Sequence, residues 1–195
     1  MNDVGLVHFC DVTVDGGRWP VFGWTIETSA GRVLVDTGMV DSTPELDAEW
    51  GPVLHDWDVP DIVAIVNTHL HFDHCGGNRR YAGTPTYVQS RELAVAVAPD
   101  YLEEWVRFEG ESYVEVDGDA ELFDGVSVLF TPGHSPGHQA VVVQTDGGVV
   151  VLGGDVTYSM RELIDGATPS IRRIHDLRPQ RVYLAHHERP WVPAR

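Results

Sequence analysis

The chain has 195 residues, of which 43% are hydrophobic and 22% charged; these proportions are ordinary for a folded globular protein and predict a single domain over residues 1–195. Its formal net charge of −17 would repel phosphate backbones, so we expect no nucleic-acid partner. No hydrophobic run reaches the roughly 18 residues that a membrane-spanning helix needs, so we expect no association with a membrane.

Short valine-rich runs between turn residues predict four strands in the first half of the chain. They are GLVHFCDVTV and VFGWTIET, joined through DGGRWP, followed by RVLVDTG and IVAIVNT. The last run is hydrophobic without alternation, which is typical of a strand that is buried on both faces.

Two segments of the first half have a helical pattern. Residues 44–57 give a weak one, which a Gly-Pro pair interrupts. After a short strand, TYV, residues 90–108 predict a helical segment that begins at the N-cap Ser90 and breaks at Pro99.

The second half of the chain predicts four more strands, VSVLFTPG, QAVVVQT, VVVLGGD and RVYLAHH. Before the last of them, Thr168 and Pro169 are typical of an N-cap and a first helical position. The helix that they start carries hydrophobic residues on one face: Ile171, Ile174 and Leu177. Strands that lead into helices in both halves predict an α/β (α+β) fold in which helices cover layered sheets.

A cluster of metal-ligand residue types follows the strand IVAIVNT. The stretch NTHLHFDHCGG contains His69, His71, Asp73 and His74 within six positions. His69 and His71 are two apart, so in an extended strand both point to the same side. Imidazole and carboxylate together suit zinc and related divalent metals. A metal site at a strand end is therefore favoured over a chance cluster on a surface turn.

Three more ligand types come directly after hydrophobic strands. They are His134 in FTPGHSPGH, Asp155 in VVLGGDVTY and His186 in VYLAHH. Taken alone, His134 is consistent with a turn cap and Asp155 with a helix N-cap. Their shared placement just past a strand is what convergence on one sheet edge would require.

The order of these seven residues resembles the metallo-β-lactamase-fold hydrolases, from VLVDTG to LAHH. The resemblance implies an αββα sandwich with two divalent metal ions at one edge of the sheets, most often zinc, with iron, manganese or cobalt as alternatives. It also implies two ligand groups and a bridging carboxylate: His69, His71 and His134; Asp73, His74 and His186; and Asp155.

Within that superfamily the chain looks most like the N-acyl homoserine lactonases. The resemblance is carried by VLVDTGM, HLHFDHCGGN, TPGHSPGHQ and Tyr158, three residues after Asp155. It implies lactone ring opening by a metal-bound hydroxide, the reaction of quorum quenching. Tyr158 would donate a hydrogen bond to the substrate carbonyl, and Asp73 would pass a proton to the leaving alkoxide. A packing role at the start of a loop is the alternative for Tyr158.

Two further residues are candidates for contacts that orient metal ligands. Asp36, in VDTG, either orients a ligand or caps the turn. His187 stands where the relatives commonly have an aspartate, and it either contacts the site or faces solvent. The intervals 39–61 and 159–168 are short for a lactonase, so acyl-chain preference and the choice between monomer and homodimer stay open.

The two cysteines, Cys10 and Cys75, cannot build a disulfide framework, and they favour a reducing cytoplasm. The N-terminus MNDVGLVHFCDV lacks the basic and hydrophobic regions of a signal peptide, which favours the same compartment. Cys75 adjoins the histidine cluster, but the resemblance gives that position no ligand role, and we interpret it as a small packing residue.

Other functions fit parts of the same pattern. A glyoxalase-II-like thioesterase shares HxHxDH and TPGHSPGH, although such enzymes add a C-terminal helical domain and this chain ends eight residues after His187. Other ester hydrolases of the fold also remain alternatives. A metal-binding sensor or a degenerate member of the fold is the non-enzyme alternative, and the occupation of all seven ligand positions argues against degeneration.

Overall fold

The computed structural model of the chain describes residues 2–98 and 101–193. Its first sheet contains β1 (Asp3–Val14), β2 (Gly17–Thr28), β3 (Gly31–Val35), β4 (Val53–Leu54), β5 (Ile62–Val66), β6 (Thr86–Gln89) and β7 (Tyr113–Val116). The second contains β8 (Ala120–Phe123), β9 (Val126–Phe130), β10 (Gln139–Thr145), β11 (Gly148–Leu152) and β12 (Arg181–Tyr183). The helices are α1 (Pro44–Glu49), α2 (Phe72–Cys75), α3 (Ser90–Val95), α4 (Glu103–Val106), α5 (Met160–Asp165) and α6 (Pro169–Asp176), with a 3₁₀ turn at Asn78–Tyr81.

Both sheets are mixed. The strand order is β4-β1-β2-β3-β5-β6-β7 in the first sheet and β12-β11-β10-β9-β8 in the second. The first three strands of the chain pair antiparallel, whereas β3, β5, β6 and β7 are parallel. In the second sheet only the β11–β12 pair is parallel. Parallel strands need crossover connections, and those connections carry the short helices.

The main core lies between the two sheets, and the period of two along each strand builds it. In β3, Val33 and Val35 face the second sheet, whereas Leu34 faces a separate outer cluster with α1 and α4. On the far side of the second sheet, α5 and α6 bury Leu163 and Ile171. The layers are therefore helix, sheet, sheet and helix, which confirms the predicted αββα sandwich.

The start of α6 is built as the sequence predicts. Thr168 is the N-cap, its Oγ1 accepts a hydrogen bond from the Ile171 backbone at 3.1 Å, and Pro169 is the first helical residue. Ile171 and Ile174 are fully buried and Leu177 packs against them. The helix is therefore fixed by its cap and by one hydrophobic face.

The two helical predictions in the first half were too long. Only α1 forms within residues 44–57, because Gly51 adopts a φ of 46° and the chain then continues into β4. Residues 90–108 contain the short helices α3 and α4, and Pro99 lies outside the described residues.

The predicted N-cap of this second segment was wrong by one residue. Gln89 occupies the N-cap of α3, and Ser90 is the first helical residue. The Ser90 hydroxyl instead donates a hydrogen bond to the Val116 carbonyl at 3.1 Å, so it ties the helix to β7.

The first hairpin is tighter than the sequence predicts, because only Asp15 and Gly16 form its turn and β2 already begins at Gly17. Pro20 therefore lies within β2, where proline is disfavoured because it cannot donate to a strand ladder. Proline is tolerated at this position because β3 pairs with β2 only from Trp24 onward, so β3 needs no hydrogen bond from residue 20. In the part of the chain that the structure describes, no helix is long and apolar enough to cross a lipid bilayer.

Candidate metal centre

Loops that follow four strands meet at one edge of the two sheets, and they bring together all seven side chains that the sequence predicted as metal ligands. The loop after β5 carries four of them and the loops after β9, β11 and β12 carry one each: His69, His71, Asp73 and His74; His134; Asp155; and His186. Within the first loop, His71 is the N-cap of the short helix α2, and Asp73 and His74 lie in that helix.

Three imidazoles form the first group. His69 Nε2, His71 Nδ1 and His134 Nε2 each lie 3.0 Å from the other two. On the other side of the rings, His69 Nδ1 lies 3.1 Å from Thr68 Oγ1, and His134 Nδ1 lies 3.1 Å from Tyr158 Oη. A neutral imidazole carries one proton, so three mutually close nitrogens cannot all be satisfied by hydrogen bonds. Nitrogen lone pairs converge in this way on a cation.

The second group contains one carboxylate and two imidazoles. The Nε2 atoms of His74 and His186 lie 3.6 and 3.8 Å from Asp73 Oδ2. The other ring nitrogen of His186, Nδ1, donates to the Pro20 carbonyl at 2.8 Å. This hydrogen bond turns His186 Nε2 toward the carboxylate.

Asp155 lies between the two groups. Its Oδ2 is 3.2 Å from His186 Nε2 and 3.6 Å from His134 Nε2, and its Oδ1 is 3.5 Å from His74 Nε2. One carboxylate therefore faces histidines of both groups. The bridging role that the family resemblance implies for Asp155 stays a prediction, and its position between the two groups is the observation that supports it.

Two buried atoms of the cluster test whether these residues fit a metal. Within the described residues, His74 Nε2 and Asp155 Oδ1 have no hydrogen-bond partner, although both are buried. A buried polar atom without a partner costs about 1–3 kcal/mol. A divalent cation bound between them would satisfy both atoms, and imidazole and carboxylate are the ligands that zinc and its neighbours prefer. The residues fit a metal ion.

The protonation of the histidines follows the charges around them. Burial lowers the pKa of His69 well below its ordinary value and that of His134 to about 4, so both rings are neutral and able to bind a metal. Burial alone would also lower the pKa of His74. The carboxylates of Asp155 and Asp73 outweigh burial and raise that pKa, which shows that this point of the site favours positive charge.

Asp36 supports two of the histidines from behind. Its Oδ2 accepts hydrogen bonds from His74 Nδ1 at 2.9 Å and from the Thr68 hydroxyl at 2.8 Å, and Thr68 Oγ1 lies 3.1 Å from His69 Nδ1. Asp36 has a φ of 59°, a strained conformation for a residue other than glycine. Its Oδ1 also accepts a hydrogen bond from the Thr68 backbone at 2.7 Å, so Asp36 contacts a candidate ligand and caps the loop after β5, and its ligand-orienting role stays a prediction.

Glu92, on α3, joins two of the loops and was not singled out from the sequence. Its Oε1 accepts hydrogen bonds from the Leu70 backbone at 3.0 Å and the Tyr101 hydroxyl at 2.9 Å. Its Oε2 accepts from the Ser135 hydroxyl at 2.7 Å and the Gly137 backbone at 2.9 Å. One buried carboxylate thereby holds the loop after β5 against the loop after β9.

His138 was also missed, although its histidine is visible in TPGHSPGH. Its Nε2 accepts a hydrogen bond from the Asp155 backbone N–H at 3.1 Å, and its Nδ1 lies 2.9 Å from Thr131 Oγ1. Burial lowers the pKa of His138 to about 3, so the ring is neutral and can accept that hydrogen bond. His138 therefore fixes the backbone that presents Asp155.

Tyr158 stands at the open side of the cluster, with its side chain 45% exposed. Its hydroxyl lies 3.1 Å from His134 Nδ1, and burial together with Asp155 and Asp73 raises its pKa, so the phenol keeps its proton. His187 contacts the same loop, because its Nε2 lies 2.9 Å from the Tyr158 carbonyl. This contact is with the backbone and not with a candidate metal ligand, so a role for His187 in orienting the site stays a prediction.

A cavity of about 690 Å³ opens directly onto the cluster. His71, Asp73, His134, Asp155 and His186 form its polar floor. Its walls are largely hydrophobic and include residues of β2, α1, α2 and the segment before α4: Trp19, Leu46, Trp50, Phe72 and Leu102. Residues 39–61, the interval that is short for a lactonase, therefore form one wall of this cavity through α1. The cavity suits a ligand with a polar head at the metal centre and an apolar body.

Comparison with known proteins identifies the family. Residues 16–190 match the sequence model of the metallo-beta-lactamase superfamily. The chain belongs to that superfamily. Among curated relatives, it is 33% identical over 169 residues to an N-acyl homoserine lactonase of Bacillus cereus, covering 75% of this chain and 67% of the relative. It is also 25% identical over 211 residues to an N-acyl homoserine lactonase of Agrobacterium fabrum, covering 87% and 79% of the two chains.

Solved structures of the superfamily extend the match to nearly the whole chain. An N-acyl homoserine lactone hydrolase with the product N-hexanoyl-L-homoserine bound at its catalytic metal centre superposes with a TM-score of 0.80 at 28% identity, covering 95% of this chain and 92% of that one. A quorum-quenching N-acyl homoserine lactone lactonase gives a TM-score of 0.82 at 28% identity, covering 94% and 91%. The chain is a metal-dependent hydrolase of the metallo-beta-lactamase superfamily with a divalent metal site in its histidine and aspartate cluster.

Proposed function

We propose that this hydrolase opens the ester ring of lactones, with N-acyl homoserine lactones as the substrate class. We also propose that its centre holds two divalent ions and that zinc is the metal. The observation that carries this proposal is the seven-residue cluster at the floor of a hydrophobic cavity, with Tyr158 beside it. The lactonases of similar sequence and the solved lactonase with product at its metal centre support the choice of substrate.

The cluster divides into two positions for metal ions. His69, His71 and His134 would hold one ion. Asp73, His74 and His186 would hold the other, with Asp155 between them. Two divalent ions in these positions would supply an activated water at neutral pH and a Lewis acid for the ester carbonyl.

The hydrogen bond between Tyr158 and His134 prepares the tyrosine for the substrate. His134 directs Nε2 into the cluster, so its proton lies on Nδ1, which then donates to Tyr158 Oη at 3.1 Å. The phenolic proton then points away from His134, toward Asp155 and the cavity that both residues line. With substrate bound, Tyr158 would donate a hydrogen bond to the lactone carbonyl and stabilise the oxyanion that develops there.

Asp73 is placed to handle the proton of the reaction. It lines the cavity, and its Oδ2 faces His74 and His186 at 3.6 and 3.8 Å. One carboxylate oxygen can bind a metal while the other meets the substrate. Asp73 would take a proton from the attacking water and return it to the alkoxide that leaves when the ring opens.

A side-by-side assay of the metal-loaded protein tests this function. The substrates are N-acyl homoserine lactones, simple aliphatic lactones and glutathione thioesters, compared by kcat/KM. We expect the homoserine lactones to be hydrolysed with the largest value. A larger value for the thioester would replace the lactonase by a glyoxalase-II-like thioesterase. Two bound metals without hydrolysis of any ester would instead favour a metal-binding sensor.

A further inference from the structure

A second cluster of metal-ligand side chains lies on the β4 edge of the first sheet and shares no residue with the candidate metal centre. His8 and Asp11 belong to β1, and His55 directly follows β4. His8 Nε2 lies 2.9 Å from Asp11 Oδ1, and His55 Nε2 lies 3.1 Å from Asp11 Oδ2. One candidate ligand atom from each of the three residues lies within 4.8 Å of the other two.

A β-bulge in β1 creates this cluster. Residues three apart in a regular strand point to opposite faces, so His8 and Asp11 would ordinarily be separated. Here His8 pairs with Phe22 and Cys10 pairs with Val21, so Phe9 is an extra residue in the strand. Phe9 and Cys10 are neighbours in the sequence, yet both are fully buried, so the alternation of buried and exposed side chains along β1 reverses at this point. Bulges redirect side chains in this way, and this one brings the imidazole and the carboxylate to the same face of the sheet, opposite the outer cluster that Phe9 and Cys10 join.

The third residue is fixed to the bulge itself. The backbone N–H of His55 donates to the Phe9 carbonyl at 3.0 Å, and the two residues before it pair with Cys10 and Asp11. The His8 and His55 rings consequently contact each other in a tilted arrangement, with their centroids 4.1 Å apart and their planes at 47°. Backbone hydrogen bonds, rather than the side chains, therefore place all three groups.

We propose that His8, Asp11 and His55 bind a further divalent cation of the zinc class. Two imidazoles and one carboxylate suit Zn²⁺, Ni²⁺ or Cu²⁺ rather than Mg²⁺ or Ca²⁺. Neighbouring ligand atoms of a tetrahedral zinc with bonds of ~2.0 Å lie ~3.3 Å apart. The Nε2 atoms of His8 and His55 already lie 2.9 and 3.1 Å from the two separate oxygens of the Asp11 carboxylate, so both imidazoles face the group that would share the ion with them.

The surroundings of the cluster suit a cation as well. The side chains of His8, Asp11 and His55 are 39%, 25% and 35% exposed, so water can complete the coordination. The exposure also lets the two imidazoles turn their Nε2 atoms toward a shared ion. The net charge of −17 raises the concentration of cations near the protein surface.

A cation at this site would fasten one wall of the catalytic cavity to the sheet. His55 lies five residues after Trp50, a wall residue whose carbonyl accepts a hydrogen bond from the Thr13 backbone at 2.7 Å. On the other side, Asp11 pairs with Pro20, whose carbonyl accepts the hydrogen bond from His186. The expected role of this ion is structural, since its three ligands do not line the cavity.

Counting bound zinc tests the proposal. The wild-type protein with its catalytic centre loaded is titrated with Zn²⁺ against a chromophoric chelator. We expect one more bound Zn²⁺ per chain in the wild type than in Asp11→Asn, His8→Ala or His55→Ala, with affinity at this position weakened about tenfold or more in each variant. The metals that each variant retains at the catalytic centre report that it is folded.

Asp3→Asn is the matched control, because it removes the same charge from an exposed position of the same strand. It should keep the additional Zn²⁺. The proposal is overturned if the wild type and Asp11→Asn bind the same number of ions with equal affinity, or if Asp3→Asn loses the ion equally.

A second readout identifies the ligands directly. In nuclear magnetic resonance spectra of the protein with its catalytic centre loaded, added Zn²⁺ should shift the ring nitrogens of two histidines. The two signals should be those absent from His8→Ala and His55→Ala. Shifts at any other pair of histidines would place the ion elsewhere and contradict the assignment.

Discussion

At the scale of single residues, Tyr158 lines the cavity and hydrogen-bonds to the candidate ligand His134 without being a ligand itself. A substitution of Tyr158 can therefore test its proposed catalytic role while the metal ligands stay intact. Its ring also packs edge-on against Trp19, with the centroids 5.5 Å apart. Removal of the hydroxyl leaves that packing in place. The effect of a Tyr158→Phe substitution therefore reports on the hydroxyl alone.

We expect Tyr158→Phe to keep its metals and its fold while kcat on a homoserine lactone falls by about 10- to 300-fold. The fall reflects the loss of one donor to the oxyanion. Steady-state kinetics together with metal analysis measures both quantities. Tyr87→Phe, whose ring packs with Phe123 in the core, is the control and should act at the wild-type rate. A wild-type rate for Tyr158→Phe would make this tyrosine a packing residue.

Asp73→Asn should behave differently, because Asp73 is proposed both to bind a metal and to carry a proton. We expect weaker metal binding and, once metals are restored, a larger loss of kcat/KM on an aliphatic lactone than on a nitrophenyl ester. The aliphatic alkoxide needs protonation to leave, whereas the nitrophenolate does not. Equal losses on the two substrates would argue that Asp73 has no part in the proton transfer.

The seven clustered residues could be predicted from the sequence because each follows a strand within a recognisable motif. Glu92 and His138 could not be assigned, since their roles depend on backbone groups far away in the chain. Glu92 meets Gly137, 45 positions later, and His138 meets the Asp155 backbone, 17 positions later. No local pattern marks a residue whose partner is a distant N–H group.

At the scale of elements, the loop after β9 depends on close contact with α3. A Cβ added to Gly137 would lie 2.2 Å from the Glu92 backbone nitrogen and 2.5 Å from its Cβ. Neither atom belongs to a flexible side-chain end. Only glycine therefore allows this loop to approach the helix that carries Glu92.

We expect Gly137→Ala to lower the free energy of unfolding by about 1–3 kcal/mol, because the loop must move away from α3. The same movement breaks the hydrogen bonds of Glu92 to Ser135 and Gly137, so metal affinity should also fall. Urea unfolding and metal titration measure the two effects. Gly147→Ala, whose added Cβ would find its nearest neighbour at 3.7 Å, is the control and should change neither.

Elements with strong hydrophobic runs were predicted well, and those without them were not. Three short strands were missed. β4 lies within the segment that was predicted as helical, and β7 and β8 have the sequences YVEV and AELF, in which a charged residue interrupts the hydrophobic run. The bulge in β1 could not be predicted from the sequence either, because it is defined by how β1 pairs with β2. The lengths of α3 and α4 depend on tertiary contacts that override helix propensity.

At the scale of the whole molecule, the sandwich fold follows from the alternation of its strands and is confirmed, whereas the assignment of residues 1–195 to one domain stays a prediction. The molecule has a formal net charge of −17, and two of its carboxylates, Asp73 and Asp155, are buried among the histidines of the candidate metal centre. Bound cations would offset this local charge. Stability should therefore depend on metal.

We expect a chelator to lower the melting temperature by at least about 5 °C. An ion present at 100 times its dissociation constant stabilises the folded state by about 2.7 kcal/mol, and each kcal/mol shifts the melting temperature of a protein of this size by about 2–4 °C. Differential scanning calorimetry with and without chelator measures the shift, and restored zinc should reverse it. An unchanged melting temperature after complete removal of metal would contradict this dependence.

The most direct test of a dinuclear lactonase is the rate of N-acyl homoserine lactone hydrolysis as zinc is returned to the metal-free protein in counted equivalents. We predict that the rate rises until about two ions per chain occupy the catalytic centre and that further zinc adds nothing. His134→Ala and His186→Ala should each fail to reach that rate, because each lacks a ligand of one ion. Full activity with a single ion would contradict the dinuclear centre, and no lactone hydrolysis at any zinc content would contradict the proposed function itself.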